Sequence, residues 1–127
     1  MIMRKFSFWK PDPIPSTGRD VSTSILEPIG NPEDVVRELL TIPQTTDLKF
    51  LDEVKVIWHF REGVCLSVCR DLSSLAKGNV LAIKADSAVS DGTFLRLYVQ
   101  VFERFSAILL DESEGTFLTT HEFRKRF

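Results

Sequence analysis

A chain of 127 residues is the size of one domain, and its 43% apolar and 27% charged residues are typical of a globular protein rather than a disordered one. The net charge of −2 at pH 7 argues against a general nucleic-acid-binding domain, which usually carries a basic excess. No run of about 18 apolar residues is present, and Lys10 and Pro11 interrupt the N-terminus before the apolar region of a signal peptide, so we expect a cytoplasmic protein without a membrane span.

The prolines divide the chain into two parts. All six lie within the first 43 residues, and the remaining sequence contains none. Because proline lacks the N–H that a sheet ladder needs, this predicts an irregular, proline-rich N-terminal arm over 1–30 and a sheet-forming body over 44–127, both within a single domain that spans 1–127. Within the arm, the apolar segment that contains Phe6, Phe8 and Trp9 is a candidate edge strand.

The first helix is predicted for residues 31–41. Asn31 is a favourable N-cap, and Pro32 fits the first helical position, where its missing N–H costs nothing. Pro43 then ends the helix. Apolar residues recur at helical spacing on one face, which we expect to pack on the sheet: Val35, Val36, Leu39 and Leu40.

Residues 54–70 carry the clearest strand signal, because apolar and polar residues alternate with the period of two that a half-buried sheet requires. A three-residue turn that ends at Gly63 would collect the large side chains on one face. The cross-strand pairs that this turn predicts are Phe60 with Val64, Trp58 with Leu66, and Val56 with Val68. On the other face, the same register places His59 opposite Cys65.

The second half of the chain predicts two further strands, at 80–85 and 106–110. Residues 94–102 also alternate as a strand does, and their valines and Tyr98 favour a strand. However, Arg96, Gln100 and Arg104 recur every four residues, so a helix across 94–110 is the alternative. At the end, the capping box formed by Thr119 and Glu122 predicts a short helix over 119–126.

Together these elements predict an α+β fold. Sequential strands with short connections usually pair with their neighbours, so we expect an antiparallel meander of about four to five strands. The helices at 31–41 and 119–126 are expected to pack on this sheet.

Few residues suggest catalysis or metal binding. If His59 and Cys65 face each other, they are the elements of a thiolate nucleophile and would form a pocket wall between the sheet and a helix. The structural interpretation is that Cys65 fills the sheet face and His59 is a hydrogen-bonded group at its margin. The two histidines and two cysteines match no zinc spacing, so the sequence predicts neither a metal site nor a cofactor.

The densest charge block is the acidic cluster that Asp111, Glu112 and Glu114 form. It is either a solvated turn or a docking patch that steers a basic protein partner. In size, slight acidity and lack of catalytic residues, the chain is similar to bacterial immunity proteins, which occlude the active site of a toxin or nuclease. The sequence therefore favours a small protein-binding module rather than an enzyme, with these three carboxylates as partner contacts.

Two other functions remain open. A small-ligand-binding protein or an enzyme would use the wall that His59 and Cys65 form. A nucleic-acid accessory protein would use the basic ends of the chain, if these meet in space: Arg4, Lys5, Arg124, Lys125 and Arg126. An exposed edge strand at 80–85 would also allow a homodimer.

Overall fold

The computed structural model describes residues 3–49, 54–58, 63–68, 70–71 and 77–126, and for residues 48, 49 and 54–58 it describes the backbone. These residues form eight strands, three α-helices and one 3-10 helix. The strands are β1 Arg4–Asp12, β2 Ile25–Glu27, β3 Thr45–Lys49, β4 Val54–Trp58, β5 Val64–Val68, β6 Ala82–Ser87, β7 Ile108–Asp111 and β8 Thr116–Leu118. The α-helices are α1 Pro32–Leu39, α2 Asp91–Phe105 and α3 Thr120–Arg124, and the 3-10 helix is Gly18–Thr23.

The strands form one antiparallel sheet in the order β3-β4-β5-β6-β1-β7-β8, and β2 pairs with the end of β1. The predicted α+β class with an antiparallel sheet is therefore confirmed. The meander is present from β3 to β6. The first strand of the chain, β1, then lies next to β6. Strand β6 pairs with both β5 and β1, so the segment 80–85 lies inside the sheet and the prediction of a dimer through it is wrong.

The position of β1 corrects the interpretation of the N-terminal arm. Residues 4–12 form a strand that lies between β6 and β7 rather than at an edge. Phe6 and Phe8 are almost fully buried on one side of it. Pro11 lies beyond the pairing of β1 with β6 and β7, which ends at Trp9, and pairs only with the short strand β2. The proline near the end of β1 therefore led to the prediction of an irregular arm where the structure has a central strand.

The hairpin of β4 and β5 has a different register from the predicted one. Trp58 pairs with Val64, Val56 with Leu66, and Val54 with Val68, which is a shift by two residues. Because side-chain direction repeats every two residues, this shift keeps the same residues on the same face. Alternation alone does not distinguish the two registers. Val64, Leu66 and Val68 are buried, as the alternation predicted.

The strand prediction for 94–102 is wrong, and the helical alternative is correct as far as Phe105. Residues 108–110 lie in β7, in agreement with the strand predicted at 106–110. Helix α2 begins after Ser90, whose side chain accepts a hydrogen bond from the N–H of Thr93 at 3.2 Å. It ends at Ser106, which adopts a left-handed conformation with φ of 54°. Its buried residues recur at helical spacing: Phe94, Leu95, Leu97, Tyr98, Val101 and Phe105.

The two capped helices form as the sequence predicts, with shorter bounds. The Asn31 side chain accepts a hydrogen bond from the N–H of Asp34 at 2.9 Å and begins α1. Thr119 and Glu122 form both bonds of the capping box and begin α3. All three α-helices share one core cluster with the same face of the sheet, and an example is Phe94, whose ring stacks on Phe6 with centroids 4.5 Å apart. The helices therefore cover one side of the sheet.

Tyr98 joins α2 to the last two strands. Its hydroxyl accepts a hydrogen bond from the Leu109 N–H at 3.0 Å and donates one to the Leu118 carbonyl at 2.7 Å. Burial raises the pKa of Tyr98 well above its ordinary value of 10.0. The neutral phenol therefore contributes stability below pH 10, and this contribution is lost as the pH rises beyond that value.

Tyr98→Phe is expected to lower the free energy of unfolding by about 1–3 kcal/mol, because two backbone groups lose their partner in the core. Urea unfolding at neutral pH measures this loss. Tyr98 is the single tyrosine of the chain, so near-ultraviolet absorbance reports its ionisation alone. We expect phenolate to form only as the protein unfolds; titration near pH 10 in the folded protein would contradict the buried hydroxyl.

Candidate functional site

The acidic cluster contains one buried member. Asp111 is 0% exposed and accepts hydrogen bonds from Arg4 at 3.1 Å, Arg126 at 2.8 Å and the Ser113 hydroxyl at 2.7 Å. Burial alone would raise the pKa of Asp111, but the hydrogen bonds from Ser113 and Arg126 outweigh it and hold the pKa below its ordinary value of 3.8. Asp111 is therefore a structural carboxylate and not a partner contact. Glu112 and Glu114 are exposed, so their role as contacts stays a prediction.

The two basic ends of the chain meet at this carboxylate. Arg4 also pairs with Asp91 at the start of α2, at 3.2 Å, and Arg126 also pairs with Glu114. Both arginines are therefore engaged by acidic residues of the same chain. Such pairing leaves fewer cations for the phosphates of a nucleic acid.

The predicted pocket wall of His59 and Cys65 falls partly outside the described residues and stays a prediction. In the observed register Cys65 pairs with Ile57, and His59 lies outside the described residues. Cys65 is half-buried and alternates with Val64 and Leu66, so it points away from the helices. Within the described part of the chain, no three His, Cys, Asp or Glu side chains are placed to hold a metal ion.

The side of the sheet that faces away from the helices is the second surface to consider, and we call it the outer face. Side chains alternate along a strand, so this face carries the residues between the buried ones. On β5, β6 and β1 the residues of the outer face are Cys65, Ser67, Ala82, Lys84, Asp86, Lys5, Ser7 and Trp9.

A chain of hydrogen bonds fixes the middle of the outer face. The Trp9 indole N–H donates to the Ser7 hydroxyl at 2.8 Å, and this hydroxyl donates to Glu112 at 2.6 Å. The Glu112 backbone N–H donates to the Lys5 carbonyl at 3.1 Å. Ser7 is only 1% exposed, so the chain is shielded from water at its centre. It holds the indole and the Glu112 carboxylate in defined positions.

Charges of both signs surround this chain in a regular arrangement. In the register of β1 and β6, Lys5 lies opposite Asp86. Ser7, which is hydrogen-bonded to Glu112, lies opposite Lys84. The two lysines therefore lie on one diagonal of the outer face, and the two acids lie on the other. Within the described residues, Lys5, Lys84, Asp86 and Glu112 are exposed and none of them forms an ion pair within 4.0 Å. They remain available to charges on another molecule.

Two adjoining depressions lie on the outer face. One has a volume of about 360 Å³ and includes Trp9 and Arg70, and the other has about 300 Å³ and includes Lys5 and Asp86. Lys84 and Glu112 line both, so the depressions lie side by side. The Trp9 ring and the unpaired charges are therefore open to solvent along a shallow groove, above the buried hydroxyl of Ser7.

A larger cavity of about 650 Å³ lies between the 3-10 helix, β8 and α3. The carboxylate that lines it, Glu122, accepts hydrogen bonds from the Gly18 and Thr119 N–H groups at 2.7 and 3.0 Å. Burial alone would raise the pKa of Glu122, but these backbone bonds hold it below its ordinary value of 4.5. At Gly18 a Cβ atom would lie 1.8 Å from the Phe117 oxygen, so only glycine fits. Glu122 and Gly18 thus hold the 3-10 helix on β8, which indicates a structural role for this end.

Comparisons with known proteins give no family to which the chain can be assigned. No family model, no curated protein and no solved structure matches the sequence or the fold. Among the residues that the structure describes, no helix is both long and apolar enough to cross a membrane.

The sequence contained a signal for the outer face that the prolines obscured. Lys5, Ser7 and Trp9 alternate with Phe6 and Phe8, which is the period of a strand with one buried face. The contribution of Lys84 and Asp86 depends on β1 lying beside β6, and no local pattern predicts that pairing.

Proposed function

We propose that this protein is a binding module for another protein and that it binds through the outer face of its sheet. One observation carries the proposal: the helices cover one side of the sheet, and the other side presents a fixed tryptophan among exposed, unpaired charges. Tryptophan is enriched among the residues that dominate protein–protein affinity, because it contributes large area at a small entropic cost. Charges of both signs favour specificity and correct orientation of the partner.

The concrete form of this proposal is a cytoplasmic inhibitor of the immunity type, which occludes the active site of a bacterial toxin or nuclease. The slight acidity and small size of the chain support it. Glu112 would attract lysine or arginine on a basic partner, and Glu114 would do so by exchanging its pairing with Arg126. Lys5 and Lys84 require acidic residues on that partner as well, so its contact surface should carry both signs.

The alternatives have less support. A nucleic-acid accessory protein would need the cations of Arg4 and Arg126, which acidic residues of the chain already engage. An enzyme or small-ligand protein with a wall of His59 and Cys65 between the sheet and a helix has less support, because Cys65 lies on the side of the sheet that faces away from the helices.

The double charge reversal Lys5→Glu with Lys84→Glu tests the proposal. Affinity capture from the native cell extract at low salt would first identify the partner, which is then purified. We expect the double variant to weaken the affinity by about tenfold or more, because Lys5 and Lys84 lose their acidic contacts on the partner, and to change the salt dependence of association. Surface plasmon resonance with the purified partner measures both effects.

The matched control is Arg37→Glu with Arg124→Glu, which changes the net charge equally at exposed positions away from the outer face. We expect this control to change the affinity much less than the double variant. If the two double variants bind the partner with equal affinity, the outer face is not the docking surface.

A further inference from the structure

The depression beside Trp9 has the features of a small-molecule site, and this goes beyond the proposed protein-binding function. We propose that it binds a nucleoside monophosphate, a ligand that combines a flat base, sugar hydroxyls and one phosphate. Its volume of about 360 Å³ lies at the lower end of the range of small-ligand sites, about 300–1,000 Å³. Each part of the ligand corresponds to a group that lines the depression.

The base corresponds to the indole of Trp9. This ring is partly exposed and lines the depression, and its N–H is held by the buried hydroxyl of Ser7 at 2.8 Å. Ser7 is held in turn by Glu112 at 2.6 Å. The ring is therefore positioned before a ligand arrives, so that binding immobilises no further side chain there. Any of the nucleic-acid bases can stack on such a ring, because every base has a π-face.

The phosphate corresponds to two cations on the wall of the depression, Arg70 and Lys84. Both side chains are exposed, and within the described residues neither forms an ion pair within 4.0 Å. A guanidinium and an ammonium together offer charge-assisted hydrogen bonds to phosphate oxygens. These cations would not have to break an ion pair within the protein before they contact the phosphate.

Two carboxylates, Glu112 and Asp71, also line the depression. They would repel a ligand that is anionic on every side, such as a free phosphate ion or a chain of phosphates. They accept hydrogen bonds from hydroxyl and amino groups, which the sugar and the base supply. The mixed lining thus favours a ligand that has one phosphate together with an aromatic base and polar sugar groups.

The test is a titration of the whole protein with AMP and UMP by isothermal calorimetry. The Trp58→Phe variant, in which Trp9 is the single remaining tryptophan, allows the same titration by fluorescence. We expect both nucleotides to bind with Kd at or below about 1 mM and to change the Trp9 emission. Adenosine and inorganic phosphate, each of which lacks one half of the ligand, should bind at least about tenfold more weakly.

Variants assign the two halves of the site. Arg70→Ala with Lys84→Ala should weaken AMP binding by about tenfold or more and leave adenosine binding unchanged. Trp9→Leu should weaken AMP and adenosine alike, and the control Arg124→Ala, which removes an exposed cation elsewhere, should change neither. No heat with either nucleotide up to about 10 mM would overturn the proposal. N-acetylphenylalanine has an aromatic ring and a carboxylate but neither a base nor a phosphate. If this compound or phosphate alone bound as tightly as AMP, the proposal would be overturned as well.

Discussion

Phe94→Ala is expected to lower the free energy of unfolding by about 3–5 kcal/mol, the range for truncating a phenylalanine in a packed core. The Phe94 side chain is 0% exposed at the centre of an aromatic cluster. Its ring centroid lies 4.5 Å from that of Phe6 and 6.0 Å from those of Phe8 and Phe123. The alanine variant would leave a cavity where the sheet, α2 and α3 meet. Urea unfolding followed by circular dichroism measures the change.

Phe102→Ala is the matched control, because Phe102 lies on the same helix and is only partly buried. We expect its cost to be clearly smaller than that of Phe94→Ala. The comparison also distinguishes helix from strand. In a strand Phe94 would share a face with Arg96 and Gln100, which is the polar face, and its truncation would cost little. A small effect at Phe94 would therefore contradict α2 and its packing on β1.

Asp111→Asn is expected to lower the free energy of unfolding at pH 7 by about 2–4 kcal/mol. This is somewhat less than the cost of about 3–5 kcal/mol for a fully buried charge pair broken from one side, because Arg4 and Arg126 are partly exposed. The amide keeps the shape of the carboxylate but removes the charge that faces Arg4 and Arg126. These arginines tie the first and last elements of the chain to the end of β7. Glu114→Gln is the control, since this exposed carboxylate pairs with the same Arg126. We expect it to cost about 1 kcal/mol or less.

The loss at Asp111 should depend on pH with a definite sign. The pKa of Asp111 is held below its ordinary value of 3.8 in the folded protein. Its contribution to stability is therefore complete above the unfolded value and is lost as the pH falls through the folded one. The difference between wild type and Asp111→Asn should be largest at pH 7 and should shrink in strong acid, in unfolding measured across this range. A difference that is constant with pH would contradict a charged Asp111.

Local signals in the sequence predict the elements whose causes are local. The Asn31 cap, the capping box of Thr119 and Glu122, and the alternation of β5 need only a few neighbouring residues, and the structure confirms them. The strand prediction for residues 94–102 failed because a short run of apolar residues fits the period of a strand as well as that of a helix. The Ser90 cap and the left-handed Ser106 mark the bounds of the helix that forms.

Features that depend on distant residues could not be predicted in this way. Asp111 belongs to an acidic run that looks solvated, but Arg4, 107 positions away, and Arg126, 15 positions away, converge on it and enclose it. The outer face likewise depends on β1 pairing with β6. Glu112 was predicted as a contact, whereas the roles of Ser7, Trp9 and Lys84 follow only from this pairing.

We expect a partner protein to bind the outer face, on the side of the sheet opposite the three described α-helices. Reductive methylation of lysines, with and without the purified partner and read by mass spectrometry, tests it most directly. Lys5 and Lys84 are exposed on the outer face, and Lys125 is exposed at the end of α3. We predict that the partner protects Lys5 and Lys84 from methylation and leaves Lys125 reactive. Protection of Lys125 with full modification of Lys5 and Lys84 would contradict the claim.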